Sequence, residues 1–137
     1  MIRPIITDPF FLSLRAEPAG KEDFSLARDL ADTLRAHKEG CTGMAANMIG
    51  GRKRIIAFFD HGALVVMINP VLLRRSPETY EAEEGCLSLQ GTRKTTRARW
   101  VELSWTPLKG KKQRGRFSGF TAEVIQHELD HLEGILI

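Results

Sequence analysis

The sequence has no long hydrophobic run, and this absence limits where the protein can act. A membrane-spanning helix needs about 20 consecutive apolar residues, whereas the apolar run near the N-terminus extends only from Pro9 to Leu14. Pro4 and Asp8 interrupt the segment before it, so this segment does not form the apolar centre of a signal peptide. We therefore expect no membrane partner and a cytoplasmic location.

Cysteine is also scarce, with only Cys41 and Cys86 in 137 residues. Disulfides are common in secreted proteins and rare in the cytosol. In a chain without a secretion signal, two cysteines are more typical of free thiols or metal ligands. We expect no disulfide between them.

Repeats, low-complexity segments and linkers are absent as well. Hydrophobic residues make up 42% of the sequence and charged residues 27%, which is the composition of an ordinary soluble protein. A chain of this length can form one domain with its own core. We predict a single domain over residues 1–137.

The net charge of +3 is small, and most of the positive excess lies between Lys109 and Arg116. This tract contains no aromatic residues on which the bases of a nucleic acid could stack. The adjoining residues Pro107 to Gly110 indicate a hairpin turn. The tract therefore predicts a solvated strand edge protected by lysines, and we expect no specific nucleic-acid partner.

The spacing of apolar residues predicts the secondary structure. Between Lys21 and Lys38 they recur three and four positions apart, as on one face of an amphipathic helix. Two short apolar runs, Arg54–Asp60 and Ala63–Asn69, flank His61-Gly62 and predict a hairpin, and Thr92–Thr106 alternates loosely like a strand. The order helix, strands, helix predicts an α+β fold with antiparallel or mixed sheets wrapped around a C-terminal helix.

The C-terminal helix carries the residues best suited to chemistry, His127, Glu128 and His131. Two histidines four positions apart project from the same side of a helix and can bind one divalent cation, while the glutamate between them reaches the water that the cation activates. A helical wheel places all three on the arc that includes Val124 and Leu132. Because unpaired ionisable groups are costly to bury, this arc predicts an internal metal site.

A catalytic site of this type needs at least a third protein ligand, and little chain follows the second histidine. The third ligand is therefore expected upstream. Cys86 is the candidate, beside a glycine that allows close approach of the backbone. Glu83 and Glu84 are alternatives, which would give a site of two histidines and one carboxylate.

These residues resemble the signatures of the peptide deformylase family. Glu84–Ser88 is similar to the second signature and Gln126–His131 to the third. Gly43–Ala46 resembles the core of the first, and Ile68–Pro70 is similar to a stretch that commonly precedes the cysteine block. The resemblance extends from about Lys21 to the C-terminus.

The resemblance implies a hydrolase that removes the N-formyl group from the formyl-methionine of nascent polypeptides and releases formate. Cys86, His127 and His131 would hold one divalent metal, usually Fe²⁺, with Zn²⁺, Ni²⁺ or Co²⁺ as substitutes. Glu128 would be the general base for the attack of metal-bound water on the formyl carbon. The implied partners are the formyl-methionyl peptide and, transiently, the ribosome.

The resemblance also assigns an oxyanion hole, which is incomplete here. Its backbone donor would be the N–H of Leu87, but the position of the family's glutamine donor is Met48, and methionine has no N–H in its side chain. Losing one such donor raises the barrier by roughly 2.7 to 4 kcal/mol, so we expect a slower enzyme. Asn47 has an amide but lies one position out of register.

Several substrate contacts follow from the same resemblance. Gly43, Met44 and Met48 lie in the first signature, and Arg93 matches an arginine that contacts the substrate backbone. Glu123 replaces an apolar residue of the methionine side-chain pocket. Cys41 stands where a glycine is common, and we interpret it as a small buried thiol.

Two alternatives to an active deformylase are open at this point. Met48 motivates the first, a weakly active or inactive homologue that binds formylated peptides. The second is a metallo-amidase or peptidase with another acylated substrate, because the HExxH pattern alone is shared with zinc metalloproteases.

Overall fold

Three α-helices and seven β-strands make up the fold in a computed structural model that describes residues 1–137. The helices are α1 (Pro9–Leu12), α2 (Phe24–Ala36) and α3 (Gly119–Leu132). The strands are β1 (Gly43–Ala45), β2 (Ile55–Asp60), β3 (Ala63–Arg75), β4 (Thr79–Cys86), β5 (Leu89–Ala98), β6 (Trp100–Thr106) and β7 (Gln113–Ser118). The predicted α+β class is confirmed, and no helix combines the length and the apolar character needed to cross a membrane.

The strands form two antiparallel sheets. Five strands pair in the order β1-β2-β3-β6-β7, and β4 pairs only with β5. The predicted hairpin is present, since Asp60 of β2 pairs with Ala63 of β3. His61 and Gly62 form its turn with positive φ angles of 49° and 87°, as the tight turn of a twisted hairpin requires.

The segment predicted as one strand, Thr92–Thr106, is divided between the two sheets. β5 ends at Ala98 in the small sheet, and β6 begins at Trp100 in the large one. Ser76 stabilises this corner because its hydroxyl accepts the N–H of Arg99 at 2.7 Å. Alternation along the chain could not indicate the break, since both halves are extended.

The basic tract lies at the edge of the large sheet, as predicted. β7 is an outermost strand, and its Arg114 and Arg116 both form ion pairs with Glu102 of the neighbouring strand β6. Arg116 also stacks over the ring of Trp100 at 3.8 Å from the ring centroid. Part of the positive charge of the tract is therefore neutralised by Glu102 within the sheet.

The large sheet is packed between α2 and α3. Side chains alternate along a strand, and in β2 this sends Ile55 and Ala57 towards α2 and Ile56 and Phe58 towards α3. Each face of the sheet thus has its own apolar cluster. This packing fixes α3 against the sheet, so that its ionisable arc faces the small sheet and β1.

Candidate metal centre

The buried face of α3 carries the ionisable residues predicted from the helical wheel. His127, Glu128 and His131 are 7%, 3% and 0% exposed. The neighbouring positions Gln126 and Asp130 are only half-buried. The helix therefore directs three groups that can carry charge into the protein, where they need partners.

The β4–β5 hairpin brings Cys86 to this face of α3. Gln126 fixes the hairpin to the helix, because its side-chain amide accepts the N–H of Ala98 at 2.8 Å and donates to the carbonyl of Ala98 at 3.0 Å. Cys86 ends β4, and the potential ligand atoms of Cys86, His127 and His131 all lie within 4.8 Å of one another. The three residues proposed as metal ligands are thus close together in the fold.

The geometry of this cluster fits a divalent metal. The Nε2 atoms of His127 and His131 are 3.1 Å apart, and two nitrogens of a tetrahedral site with metal–nitrogen bonds of about 2.0–2.1 Å lie roughly 3.3 Å apart. The Sγ atom of Cys86 accepts the N–H of Ser88 at 3.4 Å. One thiolate and two imidazoles are donors that suit Zn²⁺ or Fe²⁺.

Glu84 lies beside the cluster and orients one of its histidines. It accepts a hydrogen bond from Nδ1 of His127 at 2.7 Å, which leaves Nε2 of that ring free to bind a metal. The Arg97 guanidinium donates to both oxygens of Glu84, at 2.9 and 2.6 Å, and to Asp130 at 2.7 Å. Burial alone would raise the pKa of Glu84, but the hydrogen bonds from Arg97 and His127 hold it at about 2.

The alternative of a carboxylate ligand is not favoured by these contacts. Both oxygens of Glu84 are occupied by Arg97 and His127. Glu83 is exposed and accepts the hydroxyl of Thr92 at 2.5 Å. Cys86 is therefore the upstream residue that the fold brings to the two histidines.

The ionisation of the two histidines differs in the metal-free protein. Burial disfavours protonation of His127, but hydrogen bonds to Cys86 and Glu84 raise its pKa to about 10. Burial and the nearby His127 lower the pKa of His131 to about 3. His127 thus carries a proton on Nε2 as well as on Nδ1, and a metal must displace the Nε2 proton to bind.

Glu128 has the properties of a general base that works near neutral pH. Its carboxyl group is buried, and its Oε1 atom has no hydrogen-bond partner. Burial raises the pKa of Glu128 to about 7. Gly43 makes this packing possible, because a Cβ at that position would lie 2.5 Å from Val124 Cγ1 and 3.0 Å from Glu128 Oε2.

A cavity of about 460 Å³ opens onto the cluster. Among the residues assigned by resemblance, Gly43, Met48 and Leu87 line it, together with the cluster residues Cys86, His127 and Glu128. Met44 does not line the cavity, because it is fully buried in the apolar cluster on the α2 side. Arg93 also lies outside the cavity wall, and its guanidinium donates to the carbonyl of Gln90 at 3.4 Å.

The resemblance assigns Leu87 and the position of Met48 to the oxyanion hole, and the two residues differ in what they can donate. The N–H of Leu87 donates to no other group of the protein. Met48 is 1% exposed, and its sulfur accepts the N–H of Ala45 at 3.4 Å. Asn47 cannot replace the missing donor, since its Nδ2 group donates to the carbonyl of His131 at 3.0 Å.

Cys41 is a free thiol, like Cys86, as the cysteine count predicted. It is half-buried in the cavity wall, whereas we had interpreted it as a small buried thiol. Its Sγ donates to the carbonyl of Gly43 at 2.9 Å. Burial, with a smaller contribution from Glu128, raises the pKa of Cys41 to about 11, so the thiol stays protonated.

Sequence reasoning missed two supporting residues, Arg97 and Tyr80. Arg97 bridges Glu84 and Asp130, and the Tyr80 hydroxyl donates to Glu123 at 2.7 Å where Glu123 lines the cavity. These pairs are separated by at least 13 residues in the sequence, so no local spacing indicates them. A buried arginine in a strand is recognisable only once the strand has been placed.

Comparisons with known proteins agree with the family resemblance of the sequence. A sequence profile of the family described as polypeptide deformylase matches residues 3–137. A peptide deformylase of Clostridium beijerinckii is 50% identical over 137 residues, covering 100% of both chains. The crystal structure of peptide deformylase from Thermotoga maritima has a TM-score of 0.88 and 31% identity, covering 99% of this chain and 95% of that one. A class I type b peptide deformylase from Acinetobacter baumannii, solved with Met-Ala-Ser bound, has a TM-score of 0.88 and 30% identity, covering 99% and 97%.

Proposed function

This chain belongs to the peptide deformylase family, and we propose that Cys86, His127 and His131 hold the metal with which it works. Its reaction is the removal of the N-formyl group from the formyl-methionine of nascent polypeptides, with release of formate. The observation that carries the metal assignment is the meeting of one thiol and two imidazoles within 4.8 Å. We propose Fe²⁺ as the native ion, with Zn²⁺, Ni²⁺ or Co²⁺ able to replace it. A divalent metal in this position supplies Lewis-acid chemistry, lowering the pKa of water and polarising the formyl oxygen.

Glu128 acts as the general base in this proposal. Its pKa of about 7 in the metal-free protein lets a substantial fraction accept a proton near neutral pH. Glu128 takes a proton from the attacking water, whose oxygen bonds to the formyl carbon. It then returns the proton to the peptide nitrogen as the carbon–nitrogen bond breaks, which yields formate and a free amine.

Stabilisation of the oxyanion rests on a single donor from the assigned pair. The N–H of Leu87 has no internal partner to give up, so it can donate to an oxyanion without first breaking a hydrogen bond. Met48 offers only a sulfur acceptor, which is already in contact with Ala45. We therefore propose that the chain is an active but slower deformylase.

The peptide substrate would enter the cavity beside the cluster. The cavity wall includes Gly43, Phe120 and Glu123, and the Acinetobacter relative holds the peptide Met-Ala-Ser, which begins with methionine as a deformylated product does. Phe120 is 63% exposed and can contact an apolar side chain. Arg93 would reach the substrate backbone only by leaving its contact with Gln90.

We propose further that residues 1–137 act as one deformylase domain. The substrate is a nascent chain, so the expected place of action is the cytoplasm, with transient proximity to the ribosome and no requirement for a nucleic-acid contact. The cavity residues that serve this function come from β1, the β4–β5 hairpin and α3. No second unit is needed to complete the site.

Formate release from a formyl-Met tripeptide tests the function directly. Protein loaded with Fe²⁺ without oxygen is expected to release formate, and Glu128→Ala is expected to reduce the rate to background. Equal rates for the wild type and Glu128→Ala would contradict the assignment. Binding of the formylated peptide without turnover would instead favour the inactive homologue. Hydrolysis of an acetylated analogue but not of the formylated peptide would favour another amidase.

A further inference from the structure

Four buried polar side-chain atoms lack a hydrogen-bond partner. Two of them, Nδ1 of His131 and Oδ1 of Asn47, belong to residues that already share a hydrogen bond. His131 is fully buried and Asn47 is 1% exposed, so bulk water does not reach either atom. Buried polar atoms are almost always paired in folded proteins. Two unpaired atoms on neighbouring residues therefore need a common explanation.

The metal chemistry requires His131 to donate a hydrogen bond from Nδ1. An imidazole that binds a metal through Nε2 carries its proton on Nδ1, and this N–H normally donates to a carboxylate, carbonyl or water. His127 meets this need through Glu84, whose oxygen lies 2.7 Å from its Nδ1. His131 has no equivalent carboxylate.

Asn47 is held beside His131 by a contact that leaves its oxygen available. Asn47 belongs to the short 3₁₀ helix Ala46–Ile49 that follows β1. Its Nδ2 group donates to the backbone carbonyl of His131 at 3.0 Å, and this bond fixes the amide at the last turn of α3. The amide oxygen is then an unused acceptor on a residue that is bonded to His131, whose own Nδ1 is also unpaired.

We propose that Asn47 is the positioning residue of His131. Its Oδ1 atom accepts the Nδ1 proton of His131, either directly after a small rotation of the amide or through one bridging water, while Nδ2 keeps its bond to the carbonyl. The amide thereby sets the tautomer in which Nε2 faces the metal. The proposal rests on the proposed function only in requiring that the site bind a metal.

This role also explains why the amide of Asn47, although it lies next to Met48 in the sequence, does not serve the oxyanion. Asn47 would have to abandon His131 to serve as an oxyanion donor, so it cannot do both. The two histidines then have different supports: a charged one for His127, from Glu84, and a neutral one for His131, from Asn47. A neutral acceptor adds no further negative charge near the Cys86 thiolate and Glu128.

The first test detects the Nδ1 proton of His131 by NMR. In Zn²⁺-loaded wild-type protein labelled with ¹⁵N, NMR correlation of the imidazole nitrogens should detect slowly exchanging Nδ1–H protons on both His127 and His131. Glu84→Gln, which shifts the His127 signals, assigns the pair. A His131 ring that carries its proton on Nε2, or whose Nδ1–H exchanges as fast as that of an exposed imidazole, would overturn the proposal without any change to Asn47.

The second test measures Zn²⁺ affinity by competition with a chelator, without substrate. Asn47→Leu keeps a similar volume but removes both polar atoms, and loss of such a support typically weakens metal binding 10- to 100-fold. Equal affinities for the wild type and a folded Asn47→Leu would contradict the proposal.

Asn69 provides a matched control away from the metal. Its amide also makes backbone hydrogen bonds, accepting the N–H of Ala19 at 2.8 Å and donating to the carbonyl of Ala19 at 2.9 Å. Asn69→Ala should lower stability without changing Zn²⁺ affinity. If it weakens Zn²⁺ binding as much as Asn47→Leu, the effect of Asn47 is only on stability. Because none of these measurements uses turnover, failure of deformylation would not affect their outcome.

Discussion

The Arg97 guanidinium forms a buried ion pair with Glu84 and donates to both carboxylate oxygens, at 2.9 and 2.6 Å. This ion pair joins β5 to β4 and, through the third hydrogen bond from Arg97 to Asp130, joins the small sheet to α3. Glu84 in turn orients His127. The metal centre and the contact between the two parts of the fold therefore depend on the same two side chains.

Removing the positive charge of Arg97 should destabilise the whole fold. Arg97→Met leaves Glu84 buried without its partner and Asp130 half-buried without its own, and breaking a buried ion pair from one side costs roughly 3 to 5 kcal/mol. The free energy of unfolding measured with urea should fall by about this amount. Arg93→Met on the same strand is the control, and it should change little because the Arg93 guanidinium donates to the carbonyl of Gln90 and not to a carboxylate. Similar losses for both variants would contradict the role given to Arg97.

Neutralising Glu84 should weaken metal binding as well as folding. Glu84→Gln keeps the size of the side chain but removes the charge that supports His127, and such changes typically reduce metal affinity 10- to 100-fold. Competition with a chelator measures the effect. Glu81→Gln is a matched control, because Glu81 lies on the same strand and accepts a side-chain hydroxyl, that of Thr96, at 2.8 Å. Unchanged affinity in Glu84→Gln would show that the hydrogen bond to His127 does not tune the metal.

Restoring a donor at position 48 should accelerate the reaction. Met48→Gln places an amide at the position that the resemblance assigns to the family's glutamine donor, and a single oxyanion donor accounts for roughly a 100- to 1000-fold change in kcat elsewhere. We expect kcat to rise with little change in KM, since the new interaction forms mainly in the transition state. Met48→Leu tests whether loss of the sulfur contact with Ala45 matters by itself. No rise in kcat for Met48→Gln would mean that another group already fills this role.

The buried carboxyl group of Glu128 should make the metal-free protein less stable as pH rises. Burial raises the pKa of Glu128 to about 7, so between about pH 4.5 and 7 the folded state holds a proton that the unfolded state has lost, and stability falls with increasing pH. Ionising a carboxyl of pKa about 7 instead of 4.5 costs roughly 3 kcal/mol at pH 8. Glu128→Gln should therefore stabilise the metal-free protein more at pH 8 than at pH 5, although it abolishes activity.

Urea unfolding of metal-free protein at the two pH values tests this expectation. Glu81→Gln again serves as the control, because it changes the net charge equally at an exposed position. A stability difference between Glu128→Gln and the wild type that is the same at pH 5 and pH 8 would show that Glu128 is already ionised in the folded protein at the lower pH.

Local patterns predicted most elements of the fold because their evidence lies within a few residues. The amphipathic spacing after Lys21 predicted α2, and the turn at His61-Gly62 predicted the β2–β3 hairpin. The corner at Arg99 was not predicted, since the exchange between two sheets depends on which strands pair. In the site, the wheel of α3 predicted the buried face, whereas Arg93 and Met44 were expected at the substrate and lie outside the cavity wall.

The sequence by itself determined that His127, Glu128 and His131 share one face of a helix, because the helical repeat is a local property of the chain. It also indicated Cys86 and the missing donor at Met48. Only the tertiary structure decided that Glu84 supports a ligand and is not one, that Arg97 ties β4 and β5 to α3, and that the amide of Asn47 is committed to His131. These contacts join residues far apart in the chain, and their energies depend on burial and charge pairing, which exist only once the sheets and helices have packed.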